Sequence, residues 1–145
     1  MIKYIRGDIF KTDLNIIAHG CNCSGGFNSG VAFQIAQKYP EVRTAYLNKF
    51  KKEGWKLGDI QIVQTQNKTI INCGTQQFYG KDGKKYVSYE AIESVMIKLL
   101  DYSLKTNQTI AIPKIGAGLA GGDWEVIESI INKVFKDVEI VVYIL

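Results

Sequence analysis

The chain of 145 residues lacks several features that would assign it to a membrane or a secreted class. It has no apolar run long enough to span a bilayer, and its N-terminal residues pass directly into charged ones, unlike a signal peptide. We therefore expect no association with a membrane. Cysteine is scarce as well, and the three cysteines are an odd number. This usage indicates reduced thiols and a cytoplasmic location.

Histidine is scarcer still, because His19 is the only one in the chain. It lies close to Cys21 and Cys23, with Cys73 as a conceivable fourth ligand of a metal ion. The Cys-x-Cys spacing is tighter than that of structural zinc sites, and no second pair of ligands follows. Buried thiols in core strands are the favoured interpretation. We expect no metal and no other cofactor, and a thiol acting as a nucleophile beside His19 remains an alternative.

Other common sites are absent too. The chain contains no Gly-Lys-Ser/Thr of a P-loop, no internal repeat and no low-complexity linker, and its length suits a single domain over residues 1–145. The net charge of +4 could attract a phosphorylated ligand or a nucleic acid. The lysines of residues 49–56 and 81–85 are not interleaved with aromatic residues as in a base-stacking platform. A nucleic-acid-binding module is therefore kept only as a further hypothesis.

What the chain does contain is an alternation of strand and helix patterns. Apolar runs predict strands over residues 2–6, 14–18, 60–63, 69–73, 109–113 and 138–145. Apolar residues three and four apart predict helices that begin near Val31, Pro40, Ser88 and Asp123. Strands that alternate with helices are typical of the α/β class, with a mixed sheet covered on both faces.

A glycine-rich loop follows the second predicted strand and leads into the helix near Val31. Its glycines are Gly20, Gly25, Gly26 and Gly30, and its polar residues are His19, Asn22, Ser24, Asn28 and Ser29. Backbone N–H groups in such a loop, together with a helix N-terminus, favour binding of an anion. The alternative is that the glycines only serve turns. The position of His19 at the predicted strand end favours a role in a site.

A second glycine-rich loop, Ile115–Gly122 in the sequence, follows the strand over 109–113. Its spacing of Gly116, Gly118 and Gly121 matches a dinucleotide-binding fingerprint. That fingerprint normally begins a large Rossmann unit, whereas only one predicted strand remains here, so a dehydrogenase is not favoured. Because ligands bind at the carboxyl ends of strands in such sheets, the two loops could clamp a diphosphate from both sides.

At this point the residues resemble the macrodomain family, the fold that recognises ADP-ribose. The resemblance covers nearly the whole chain and is most similar to the branch with the yeast ADP-ribose 1''-phosphate phosphatase and the terminal ADP-ribose glycohydrolase. It rests on Gly7-Asp8-Ile9, on His19-Gly20-Cys21-Asn22 leading to Gly30-Val31-Ala32, on the run from Pro113 to Leu119 with Asp123-Trp124, and on residues 141–145. It implies a three-layer α/β/α domain with a mostly parallel central sheet.

The resemblance also implies roles for individual residues. Asp8 and Ile9 would meet the adenine, and His19, Asn22 and Asn28 would lie near the distal ribose. The ligand would further be bound by Ser29, Gly30, Val31, Thr75, Ile115, Gly116, Ala117, Gly118 and Leu119, with the diphosphate between the two loops. Asp123 would be either a helix cap, which we favour, or an acid that positions water.

The implied function is hydrolysis at the distal ribose of ADP-ribose. Removal of phosphate from ADP-ribose 1''-phosphate is the leading reaction, with His19 moving a proton and Asn22 positioning the ribose. Release of ADP-ribose from a protein or nucleic acid is the second, and a non-catalytic reader is the third. The lysine and aspartate of the glycohydrolase correspond here to Gln76 and Ala120, so a covalent lysine mechanism would need a lysine of residues 81–85. We expect a monomer.

Overall fold

A computed structural model describes residues 1–28, 30–78, 86–118 and 120–145. Within these ranges the elements alternate as the sequence predicts. The strands are β1 Ile2–Arg6, β2 Ile16–Asn22, β3 Ile60–Gln64, β4 Thr69–Gln76, β5 Ile110–Ile112 and β6 Ile140–Ile144. The helices are α1 Gly30–Lys38, α2 Pro40–Lys52, α3 Tyr89–Thr106 and α4 Trp124–Val134, and a short 3-10 turn covers Ile9–Lys11.

The strands form one six-stranded sheet in the order β1-β6-β5-β2-β4-β3. All neighbours are parallel except β3, which pairs antiparallel with β4. The mixed, mostly parallel sheet predicted from the sequence is confirmed. Because the strands other than β3 are parallel, the chain leaves β2, β4 and β5 at the same edge of the sheet, which is where ligands bind in this class.

Two apolar cores cover the two faces of this sheet. Alternate residues of β2 point to opposite faces, so that Ile16 and Ala18 pack towards α3 and α4 while Ile17 and Cys21 pack towards α1 and α2. Ile92 and Ile127 complete the first core. This arrangement gives three layers, helices on sheet on helices, as the resemblance implies.

Two strands run further than the sequence predicts. β2 begins two residues later than the predicted strand over 14–18 and continues to Asn22, pairing with β4 through His19 and Gly20. β4 likewise continues past Cys73, where the predicted strand over 69–73 ends, to Gln76. Residues 79–85 lie outside the described ranges. The extension of β2 places His19 inside a strand rather than at its end.

The predicted helix starts are confirmed at two side-chain caps. Ser88 accepts a hydrogen bond from Ala91 N at the start of α3, and Asp123 accepts one from Glu125 N at 2.9 Å at the start of α4. Among the helices of the described ranges, none has the length and hydropathy that crossing a bilayer requires.

Candidate functional site

A cleft of about 510 Å³ opens at the carboxyl edge of the sheet, within the range of small-molecule sites. Residues 23–28, which we call the β2 loop, form one wall together with the start of α1. The described residues of 113–122, which we call the β5 loop, form the other. The described lining is Gly20, Cys21, Asn22, Gly26, Phe27, Asn28, Gly30, Val31, Ala32, Thr75, Gln76, Pro113, Lys114, Ile115, Gly116, Gly118 and Ala120. The prediction that the two loops lie side by side is confirmed.

The β5 loop is held by its own backbone. Ile115 N donates to Pro113 O at 2.7 Å, and Gly122 N donates to Gly116 O at 2.8 Å, closing the loop on itself. Gly116 has φ of +81°, a conformation that side chains rarely adopt. A Cβ on Gly122 would lie 2.6 Å from Gly116 O, so this position has no room for any side chain. The glycines therefore let the loop fold tightly over α3 and α4.

The β2 loop is held by one side chain instead. Asn22 Oδ1 accepts from Ser24 N at 3.0 Å and from Gly26 N at 3.1 Å, and Asn22 Nδ2 donates to Gly26 O at 2.7 Å. Tyr46 from α2 joins the same group, because its hydroxyl lies 2.9 Å from Asn22 Oδ1. Short amide side chains commonly organise turns in this way.

Asn22 lines the cleft, and its expected role of positioning the ribose stays a prediction. Its side chain is directed into the β2 loop and only 9% of the residue is exposed. Asn28, at the end of the same loop, is exposed and lines the cleft. Both asparagines therefore line the cleft, and Asn28 is the more exposed of the two.

The position of His19 disfavours its expected role as a proton shuttle for the substrate. His19 is fully buried on the face of the sheet that packs against α1 and α2, and it is absent from the lining of the cleft. The ring of Phe27 covers it edge-on at 5.5 Å between centroids. Burial lowers the pKa of His19 to about 4, so the imidazole is neutral near pH 7.

The protonation of His19 follows from its neighbours. Its Nε2 lies 2.5 Å from Asn72 Oδ1, and Asn72 Nδ2 donates to Gln61 Oε1 at 3.0 Å. The second bond fixes the orientation of the Asn72 amide, so its oxygen faces the imidazole. Nε2 of His19 must therefore carry the hydrogen and Nδ1 must lack it. The histidine joins β2 to β4 as a buried structural group.

Gly20 and Thr75 form the floor of the cleft between the loops. A Cβ on Gly20 would lie 2.7 Å from Thr75 Oγ1, so the hydroxyl sits against the bare backbone of β2. Thr75 is 1% exposed and lines the cleft. The missing side chain at residue 20 therefore keeps the space above Thr75 open for a ligand.

The described lining of the cleft carries a single charged side chain, Lys114. Its Nζ lies 5.7 Å from the ring centroid of Trp124, a cation–π contact at the outer end of the β5 loop. No Asp or Glu lines the cleft among the described residues. With the N-terminus of α1 also directed at the site, the cleft is electrostatically suited to an anion.

The remaining predicted residues fall into three groups. Gly30, Val31, Thr75, Ile115, Gly116 and Gly118 line the cleft; Asp8, Ile9, Ala117 and Asp123 do not; Ser29 and Leu119 lie outside the described residues. Asp8 is exposed, and its carboxylate accepts from Phe10 N at 2.9 Å as the cap of the 3-10 turn. Asp123 is the favoured helix cap, not a cleft acid.

The three cysteines are buried and unpaired in disulfides. Burial raises the pKa of Cys23 to about 11 and raises the pKa of Cys21 as well, so neither supplies a thiolate near pH 7. The alternative of a thiol nucleophile is therefore disfavoured. Across the residues that the structure describes, no group of three or more His, Cys, Asp or Glu side chains is arranged to hold a metal ion.

Sequence reasoning missed Tyr46 and Phe27 as components of the site, and it assigned no role to Lys114. Lys114 directly precedes the second glycine-rich loop, and that position was a usable signal. Tyr46 is distant in sequence from Asn22 and lies on another element, so its contact with the β2 loop had no local signal.

Comparison with known proteins adds the family. The family model described as Macro domain matches residues 18–131. The chain is 34% identical to the 17.5 kDa protein of the tk-vs intergenic region of Enterobacteria phage T4, covering 98% of this chain and 95% of that protein. It is 27% identical to the ADP-ribose 1''-phosphate phosphatase of Lodderomyces elongisporus, covering 91% of each.

A mycobacterial protein is similar to this chain in sequence, and a mycobacterial macrodomain is similar to it in structure. The chain is 31% identical to the DNA ADP-ribosyl glycohydrolase of Mycobacterium tuberculosis over 99% of this chain, but it spans only 42% of that protein. The solved macrodomain of M. tuberculosis DarG superposes with a TM-score of 0.86 at 30% identity, covering 99% of this chain and 97% of that one. The fold is also that of Thermosipho africanus DarTG in complex with ADP-ribose, with a TM-score of 0.85, 16% identity, and 98% and 41% of the two chains covered.

Proposed function

The chain belongs to the macrodomain family, and from that premise we propose that it binds ADP-ribose in the cleft and hydrolyses the bond between the distal ribose and an attached group. The observation that carries the proposal is the pairing of two loops around a cleft whose described lining has one cation and no carboxylate. A diphosphate brings two negative charges, which backbone N–H groups, the N-terminus of α1 and Lys114 can balance.

Each part of the ligand has a corresponding part of the site. The diphosphate would lie between Gly30–Val31 and the backbone of Gly116–Gly118. The adenosine would extend towards Asp8 and the end of β1, whose exposed carboxylate can accept from an amino group. The distal ribose would lie over the floor made by Gly20 and Thr75, within reach of Asn28.

Removal of phosphate from ADP-ribose 1''-phosphate is the reaction we favour. When the bond between C1'' of the ribose and the bridging oxygen breaks, phosphate leaves as an anion that needs no proton from a protein acid. Water adds to C1'' and its proton passes to the released phosphate, so a cleft with neither imidazole nor carboxyl in its described lining suits the reaction. Backbone N–H groups can stabilise the charge that develops on the leaving oxygens. The remaining rate acceleration would come from positioning: Asn28 would orient the ribose, and the polar floor would orient a water molecule.

Release of ADP-ribose from a nucleic acid is the second candidate, favoured by the 31% identity to a DNA ADP-ribosyl glycohydrolase. Gln76 and Ala120 occupy the positions where the resemblance implies a lysine and an aspartate. Gln76 Nε2 donates to Phe78 O at 2.6 Å, and Ala120 is 7% exposed. Neither can act as a nucleophile or an acid, so a covalent lysine step would need a lysine of residues 81–85, which lie outside the described ranges.

The test is a product assay with ADP-ribose 1''-phosphate, ADP-ribosylated protein and ADP-ribosylated DNA offered separately at equal concentration. The proposal expects free phosphate and ADP-ribose from the first substrate at the highest kcat/KM. Faster release of ADP-ribose from DNA would select the second candidate. Tight binding of ADP-ribose with no product from any substrate would indicate a protein that binds ADP-ribose without catalysis. The monomeric state and the cytoplasmic location expected from the sequence remain predictions.

A further inference from the structure

The hydrogen bonds that shape the β2 loop converge on two side chains, Asn22 and Tyr46. Asn22 Oδ1 accepts from two backbone N–H groups of the loop and also from Ser24 Oγ at 3.2 Å. The Tyr46 hydroxyl lies 2.7 Å from Asn22 O and 2.9 Å from Asn22 Oδ1, and it accepts from Gly25 N at 3.1 Å. Together these bonds engage residues 22, 24, 25 and 26, which is nearly the whole turn.

Tyr46 can anchor the loop because it is itself immobilised. It is fully buried, its ring stacks on Trp55 at 5.2 Å between centroids, and Trp55 Nε1 donates to Tyr46 O at 3.1 Å. On the other side its ring contacts Phe27 at 4.8 Å. The hydroxyl therefore projects from a rigid part of α2 into the base of the β2 loop.

We propose that Asn22 and Tyr46 form one positioning unit that pre-forms the β2 loop and presents Asn28 to the part of the ligand beyond the diphosphate. This inference rests on the proposed function, because it takes the distal ribose as the group over which Asn28 lies. Pre-forming the loop removes the entropic cost of ordering it when the ligand binds.

Asn22 lines the cleft, but the polar atoms of its side chain are already engaged with the β2 loop. Its oxygen already receives several donors, and its amide nitrogen donates to Gly26 O. Redirecting the amide to a ribose hydroxyl would leave buried backbone groups of the loop without partners, which is costly. Asn28, by contrast, is exposed at the rim of the cleft.

The experiment is calorimetry of ADP-ribose and AMP with Tyr46→Phe, Asn22→Ala and the double variant. AMP lacks the distal ribose and the phosphate attached to it, so a fault confined to the β2 loop should spare its binding. We expect each single variant to weaken ADP-ribose binding about 3- to 10-fold, the range for losing one or two buried hydrogen bonds. AMP binding should change by less than about twofold, and the double variant should be no weaker than Asn22→Ala alone, because groups that act as a unit are not additive.

Tyr102→Phe is the matched control, since Tyr102 lies on α3 within the opposite core and should leave both affinities unchanged. If Asn22→Ala does not fold, Asn22→Ser replaces it, because a hydroxyl keeps an acceptor for the loop, adds no charge beside the anion and is too short to reach Gly26 O as the amide does. The same pattern with a smaller loss is then expected.

Two results would overturn the inference. A loss of 100-fold or more for Asn22→Ala that multiplies with the loss for Tyr46→Phe would make Asn22 a direct ligand contact. Unchanged ADP-ribose affinity in Tyr46→Phe would show that the loop needs no anchor. A wild-type protein that binds AMP and ADP-ribose equally would instead contradict the proposed function, which separates the two failures.

Discussion

The two walls of the cleft are built on different principles. The β5 loop is closed by backbone hydrogen bonds and by glycines at places where a side chain would collide, as at Gly122. The β2 loop is closed by side chains, with Asn22 and Tyr46 bonded to its backbone. Adding a side chain should therefore disrupt the β5 loop, whereas removing a side chain should disrupt the β2 loop.

The largest effect is expected from Gly122→Ala in the β5 loop. Its Cβ would lie 2.6 Å from both Gly116 O and Val87 Cγ1, so the loop must open and move away from Val87. We expect the free energy of unfolding to fall by about 1–3 kcal/mol, as in other overpacked sites, and ADP-ribose binding to be lost. Urea unfolding and calorimetry measure the two effects.

The matched variant in the same loop is Gly118→Val, because a Cβ at Gly118 meets nothing within 4 Å. Stability should change by less than about 0.5 kcal/mol. ADP-ribose affinity should still fall at least tenfold, since the branched side chain would occupy the space through which the backbone approaches a phosphate. Full ADP-ribose affinity in Gly118→Val would show that the β5 loop does not bind the phosphates.

A second prediction concerns His19 beneath the β2 loop. The pKa of this imidazole is lowered to about 4 by burial, so the unfolded chain binds the extra proton first as the pH falls below 6.5. The contribution of neutral His19 to the free energy of unfolding is fully present above pH 6.5. About 3 kcal/mol of it is lost as the pH falls to 4.

Urea unfolding of the wild type and His19→Gln between pH 7.5 and 4 isolates this contribution, because other groups titrate alike in both. The stability difference between the two proteins should shrink as the pH falls. A difference that stays constant would contradict a buried, neutral His19. If kcat of the wild type changed with an inflection near pH 6.5 and His19→Gln lacked that inflection, His19 would be a proton shuttle after all.

The contrast also explains what the sequence could predict. The alternation of strands and helices, the two glycine-rich loops and the cap at Asp123 all leave local signals, and they are found in the structure. The burial of His19 and the loop contacts of Asn22 could not be predicted, because the predicted strand ended at residue 18, whereas β2 continues to Asn22. The face of the sheet on which a residue lies, and the partner it meets, depend on pairing with β4 and on α2, neither of which is local.

A smaller effect is expected where the β5 loop ends. Asp123→Ala removes the hydrogen bond to Glu125 N at the start of α4, and it should cost about 1 kcal/mol of unfolding free energy. Affinity for ADP-ribose and the rate of hydrolysis should stay within twofold of the wild type. A catalytically inactive but stable Asp123→Ala protein would instead make Asp123 an acid that positions water.

The smallest effect is expected from Lys114, the one charged side chain in the described lining. Lys114→Ala should weaken ADP-ribose binding about 2- to 5-fold at low salt and less at 0.5 M salt, because the charge is exposed and screened. Lys136→Ala removes the same charge from an exposed position outside the described cleft lining and should have no effect. Equal losses for the two variants would assign the effect to net charge rather than to the cleft.

We infer above all that both loops bind one ligand and that the β2 loop recognises the distal ribose. Calorimetry of the wild-type protein with ADP-ribose and with AMP tests it most directly. The account predicts a Kd for ADP-ribose in the micromolar range or tighter, and at least tenfold weaker binding of AMP, a difference of about 1.4 kcal/mol. Equal affinity for the two ligands would contradict it.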